Sequence, residues 1–131
     1  PAVRQYLLDT FKELIIRYPE LDGIHLDMIR FPFAMRSNRS KNYGGSMWYG
    51  YSNEALARFY EDHLSANSSL EEPPLPSFEQ WQQWRRSQIT LFVGQLNKMI
   101  KQLNPQLKLS AAVLAWPDRA GGYALQEWDK W

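Results

Sequence analysis

A change of hydrophobic period, repeated along the chain, is what most narrows the folds open to it. Val3, Tyr6, Leu7, Phe11, Leu14, Ile15 and Tyr18 recur at three- and four-residue intervals, which gathers them on one side of an α-helix over residues 2 to 18. Pro19 and the Asp22-Gly23 pair interrupt that pattern. Ile24-His25-Leu26-Asp27-Met28-Ile29 then alternates apolar and polar residues before Pro32, and reads as a strand. Ser52, with Glu54 in the first turn, opens a short helix whose apolar side is Leu56, Phe59, Tyr60, His63 and Leu64. Ser77 and Gln80 form a capping-box pattern ahead of a long stripe: Trp81, Trp84, Ile89, Phe92, Val93, Leu96, Met99, Ile100 and Leu103. Asn104-Pro105 stops that helix. Residues 107 to 116 (LKLSAAVLAW) form the second expected strand, closed by Pro117. A Gly-containing loop follows, with another helix expected to begin around Gln126.

Strands that alternate with helices pair in parallel through right-handed crossovers. The fold class is therefore α/β. Two strands are too few to close a sheet, and a full (β/α) barrel takes about 250 residues. The expectation is a segment of a parallel barrel, about two strands with their helices. It runs as one unit over residues 1–131 with no internal boundary. The polar stretches at 33–51 and 65–76 read as loops on that unit, not as linkers.

Composition excludes several function classes. The 131 residues carry 15 Lys+Arg against 14 Asp+Glu, and a net charge of +1 lacks the basic surplus of a general nucleic-acid binder. With no cysteine, thiolate metal sites and a Cys nucleophile are out. No apolar run approaches the roughly 18 residues of a membrane span, and the helical pattern at the N-terminus gives no expectation of a cleavable leader. The 6 Trp, 7 Tyr and 6 Phe suit either a thick core or flat surfaces that stack on sugars or bases.

The first strand carries the chemistry. Its alternation sets Ile24, Leu26 and Met28 on one face and His25 and Asp27 on the other. Asp27 falls near the C-terminal end, where catalytic groups of parallel α/β folds gather. A carboxylate there suits a nucleophile or a general acid or base in glycosidic cleavage, which commonly needs two Asp/Glu residues. The alternative is a buried ion pair with Arg30 or a neighbour. His25, two residues earlier on the same face, reads equally as a sugar-binding group or a satisfied interior histidine. Arg30 would clamp a substrate group or hold Asp27 ionised. Asp22, at the opposite end of the strand, reads as structural.

The run Asp22-Gly23-Ile24-His25-Leu26-Asp27-Met28-Ile29-Arg30-Phe31-Pro32 resembles the "DGIHLDYIRFP" core of the family 10-like glycoside hydrolases, bacterial envelope and secreted proteins on a TIM-type barrel. The resemblance extends through residues 51–59 (YSNEALARF), Trp81 to Arg86 (WQQWRR), Leu109 to Val113 (LSAAV) and Glu127-Trp128. It implies a polysaccharide-active hydrolase that is secreted or in the cell envelope, with Asp27 as a catalytic carboxylate. The chain departs from that pattern in its length and in having no carboxylate at the end of the second strand. Asp118 is the nearest candidate for a second acid, with Glu127 beyond it.

Trp116 would end the second strand on the face of Ser110, Ala112 and Leu114, as a sugar platform or a core cap. Trp48, Tyr49 and Tyr51 lie on the loop after the first strand, the side on which substrate contacts are expected. Trp81 and Trp84 belong to a helix stripe and read as packing. Ser46 and Ser110 show no partners for a serine triad. Arg36, Arg39 and Lys41 read as a solvated loop or a bias toward an anionic glycan. No cofactor or metal is needed. The expected partners are a polysaccharide or oligosaccharide and the rest of the barrel, without nucleic acid. The rival readings are a non-catalytic carbohydrate-binding domain and a partner-docking domain.

Overall fold

A computed structural model describes residues 2–32, 52–63 and 75–131. In chain order it has α1 (Ala2–Arg17), β1 (Gly23–Leu26), α2 (Asn53–His63), α3 (Phe78–Leu103) and β2 (Lys108–Ala111). A helical turn at Pro117–Arg119 runs into a π-helical turn at Ala120–Ala124, and a 3-10 turn at Trp128–Lys130 follows. The class is mixed α/β. The two strands pair in parallel, with His25 opposite Ser110 and Leu26 opposite Ala111.

The long helix α3 organises the packing. Ser77 Oγ accepts from the Gln80 amide at 3.3 Å while Gln80 Oε1 accepts from the Ser77 amide at 2.9 Å, so the expected capping box is formed. At the other end Lys101 Nζ donates to the Pro105 and Leu107 carbonyls at 3.1 and 2.8 Å, covering acceptors beyond the last turn. The stripe between these ends is buried almost as the sequence spells it. Ile89, Phe92, Val93, Leu96 and Ile100 join Ile24 and Leu26 of β1, Ile15 of α1, Leu107 and Leu125 in one core. Trp81 and Trp84 stack at 4.9 Å and enclose Phe59 and Ala55 of α2 in a second cluster. Both tryptophans are packing residues, as the stripe implied. Each large side chain buried in these clusters stabilises the fold by about 1.5–3 kcal/mol.

Helix α1 departs from its expected stripe. Phe11 and Leu8 pack on the core and Ile15 is buried in it, with Phe11 6.5 Å from the Phe92 ring. Val3, Tyr6, Leu7, Leu14 and Tyr18 remain exposed. The face that meets α3 is the narrower line Leu8, Phe11, Ile15. In α2 the buried residues are Ala55 and Phe59; Leu56 and Tyr60 are half-buried. His63 is exposed, stacked on Phe59 at 4.1 Å, and Leu64 lies outside the described residues.

Both strands are shorter than their sequence patterns. β1 stops at Leu26 because Met28 turns to φ 52° and its amide donates to Asp27 Oδ1 at 2.8 Å. β2 stops at Ala111, with one further rung from the Ala112 amide to the Leu26 carbonyl at 2.9 Å. Beyond it, the Leu114 amide donates to Gln126 Oε1 and the Leu114 carbonyl accepts from Trp128 Nε1. Side chains have taken the groups a continuing ladder would use. The helix expected around Gln126 is likewise not there. Leu125 adopts φ 57° and closes the π turn, leaving Gln126 in the segment between two turns.

One glycine is required by proximity. A Cβ on Gly23 would meet the Lys108 carbonyl oxygen at 3.0 Å, directly across the pair. The Asp22 carbonyl accepts the first rung from the Lys108 amide at 3.0 Å.

Candidate functional site at the carboxyl ends of the parallel strands

The sheet has two unlike faces. Ile24 and Leu26 of β1, with Leu109 and Ala111 of β2, face the helices. His25 and Ser110 sit opposite one another on the other face, both exposed, with His25 Nδ1 2.9 Å from Ser110 Oγ. Asp27 continues the alternation one step past the strand and is also exposed. The buried ion pair considered for Asp27 is therefore not its environment. Its Oδ1 is held by the Met28 amide, which fixes the carboxyl beside the strand end.

The backbone around Asp27 is strained and braced. A non-glycine residue in the left-handed region, as Met28 is, costs roughly 1–2 kcal/mol. The Arg30 amide donates to the Met28 carbonyl at 2.7 Å, closing a three-residue turn. Such conformations persist where surrounding contacts enforce them, and cluster at functional sites. The bracing here is explicit. Gln126, 1% exposed, donates from Nε2 to the Ile29 carbonyl at 3.2 Å and to the Ala112 carbonyl at 3.1 Å. Its Oε1 accepts from the Leu114 amide at 3.1 Å. One side-chain amide thus ties the turn after β1 to the segment after β2. The Phe31 amide adds a bond to the Ala124 carbonyl at 3.1 Å, and the buried Arg85 guanidinium lies 4.4 Å from the Phe31 ring centroid.

The remaining expected site residues are dispersed. Arg30 lines a cleft of about 510 Å³ together with Phe31, Leu7, Trp84 and Phe92, on the helix side of the turn. Trp116 does not end a strand. It is 64% exposed on the segment after β2, with the Arg119 guanidinium 5.1 Å from its ring centroid. Asp118 is exposed on the helical turn Pro117–Arg119 and makes no hydrogen bond or ion pair among the described residues. Glu127 is committed elsewhere. Its Oε1 pairs with Lys130 Nζ at 2.8 Å and Arg86 Nε at 3.6 Å. Trp48, Tyr49, Tyr51, Arg36, Arg39 and Lys41 lie outside the described residues.

Among the described residues, no group of three His, Asp or Glu side chains could hold a metal ion. No described helix is long and apolar enough to cross a membrane. Two residues that shape the site carry little sequence signal. Gln126 is a polar residue in a run with no motif, and the importance of Ser110 follows only once the strand register is known.

The family model described as glycosyl hydrolase-like 10 matches residues 1–131. No curated protein and no solved structure matches the chain. The match spans the strand that carries His25 and Asp27, the braced turn after it and the segment that Gln126 ties to it, and on that match the chain belongs to the glycosyl hydrolase-like 10 family.

Proposed function

We propose that this chain is part of a glycoside hydrolase that cleaves O-glycosidic bonds of a polysaccharide, with Asp27 as a catalytic carboxylate. The observation that carries the proposal is the placement of Asp27. It is exposed at the carboxyl end of a parallel strand, on a left-handed turn braced from below, in a chain of a glycosyl hydrolase-like family. Carboxylates in that position of parallel α/β folds reach bound substrate. The two strands belong, in this proposal, to a (β/α) barrel whose inner face carries His25 and Ser110. Polysaccharide as substrate goes with a secreted or envelope protein.

Within that reading Asp27 acts as nucleophile, acid or base according to its distance from a second carboxyl group. About 5–5.5 Å would give retention and about 6.5–9.5 Å inversion. Asp118 is the candidate within this chain, since Glu127 is held by two cations. His25 would contact sugar hydroxyls, whereas Arg30 lies on the helix side of the turn. Trp116, Trp48, Tyr49 and Tyr51 would offer stacking faces to the apolar sides of sugar rings.

The commitment of Glu127 also favours a second reading, a carbohydrate-binding domain without cleavage. A panel of polysaccharides presented to the full-length protein separates the two. Release of new reducing ends supports the hydrolase. Binding to a glycan with no release, over long incubation, supports the binding domain and ends the catalytic proposal.

A further inference from the structure

We infer that Ser110 is a positioning residue for His25, fixing the ring so that its Nε2 carries the proton and offers an N–H donor to the open face of the sheet. The inference deepens the proposed function and rests on it for its consequence, but its geometry stands separately. The register places the two residues directly opposite one another on neighbouring parallel strands. Both strands are anchored by the ladder, so the 2.9 Å contact between Nδ1 and Ser110 Oγ joins two side chains on a rigid base.

The proton on that contact is assigned from the two distances at Ser110 Oγ. A hydroxyl has one proton to donate. Two arrangements fit the distances: Ser110 Oγ donates to His25 Nδ1 at 2.9 Å, or it accepts from a protonated Nδ1 at that distance and donates to the Ile24 carbonyl at 3.5 Å. The second distance is at the outer limit for an O–H donor, the first close to its usual value. The second arrangement places the hydroxyl proton on the long bond, so the first is assigned: the hydroxyl donates to Nδ1, and the neutral imidazole carries its proton on Nε2, because the bond made by one ring nitrogen selects the state of the other. A donor aimed at the open face suits a sugar hydroxyl oxygen, which accepts. A free imidazole would present a donor or an acceptor by turns and select poorly between ligand orientations. Among the described residues no carboxylate bonds to His25 to complete a serine triad, and positioning is the role that the geometry of Ser110 supports.

The test uses the full-length protein labelled with ¹⁵N. Long-range proton–nitrogen spectra, recorded at a pH where the ring is neutral, distinguish a protonated ring nitrogen from a bare one. Wild type is expected to show a bare Nδ1 and a protonated Nε2. Ser110→Ala should give a mixture of tautomers with an otherwise unchanged amide spectrum, and Ser110→Thr should restore the single form. A wild-type spectrum with the proton on Nδ1, or a Ser110→Ala spectrum with an unchanged tautomer, overturns the inference. On a polysaccharide that the wild type cleaves, Ser110→Ala should lower kcat/KM about tenfold, and Ser110→Thr should recover most of it. Unchanged kcat/KM alongside a shifted tautomer also overturns the positioning role. If no glycan is cleaved the proposed function fails, whereas the spectra still decide the state of His25.

Discussion

Gln126 gives the sharpest quantitative consequence of the structure. Its three side-chain hydrogen bonds, at 3.1, 3.1 and 3.2 Å, are the ties between the turn after β1 and the segment after β2. Replacing it with Leu keeps volume and removes every bond. Each lost bond costs about 1 kcal/mol, and a buried group left unpaired costs about 1–3 kcal/mol. Ile29 and Leu114 are half-buried, so their freed groups are poorly reached by water, whereas Ala112 is exposed and its carbonyl can hydrate. The expected loss for Gln126→Leu is about 3 kcal/mol.

Gln126→Glu adds a pH signature. The new carboxylate would face the Ile29 and Ala112 carbonyls in place of a donor, so its folded pKa is raised above the unfolded value. A raised carboxyl is stabilised in its protonated form, so its favourable contribution is present below the unfolded pKa and lost as pH rises through the folded one. Urea melts of wild type and both variants at acid and neutral pH measure this. Gln126→Glu should lie close to wild type in acid and approach Gln126→Leu at neutral pH. A deficit that does not change with pH would refute the argument from the two carbonyls. A loss below about 0.5 kcal/mol for Gln126→Leu would refute the keystone role itself.

Three further outcomes follow from local geometry. Gly23→Ala should destabilise by about 1–2 kcal/mol in urea, because its Cβ would press on the Lys108 backbone at 3.0 Å. Ser77→Ala should cost about 1 kcal/mol through the loss of the α3 capping box, and Ser77→Asp should cost less. Glu54 is held below its usual pKa by hydrogen bonding with Ser52, helped by its own backbone amide. A lowered carboxyl contributes stability above its unfolded pKa and loses it as pH falls through the folded one. The stability advantage of wild type over Glu54→Gln should therefore shrink on acidification from about pH 6 to about pH 3, and an advantage that grew would contradict the assignment.

The helices were legible in the sequence because their stripes are local. The line from Trp81 to Ile100 needs only a period of 3.6 and a capping box, and the structure buries it nearly residue for residue. The parallel pairing was legible too, since a helix as long as α3 forces a crossover. The strand ends were not. Ile29 and Leu114 keep a strand-like pattern, yet their backbone groups bond to Gln126, which lies 97 and 12 residues away in the chain. No periodicity encodes that competition. The same holds for α1, where Tyr6 and Leu14 share the expected stripe with Phe11 and Ile15 but lie off the line that meets α3. Of the candidate site, Asp27 and His25 were visible from alternation alone. The role of Ser110 depends on register, and the left-handed Met28 on a turn chemistry that no glycine announces.

The central claim is that Asp27 does chemistry at the end of β1. The most direct measurement is kcat/KM for reducing-end release by the full-length protein and its Asp27→Asn variant, with folding of the variant verified by its urea midpoint. The substitution keeps the shape of the side chain and a carbonyl oxygen for the Met28 amide, so the turn should survive. A fall of at least a hundredfold, about 2.7 kcal/mol of transition-state stabilisation, is the result this account predicts. A folded Asp27→Asn protein that cleaves at the parent's rate would contradict it and move the catalytic carboxylate elsewhere.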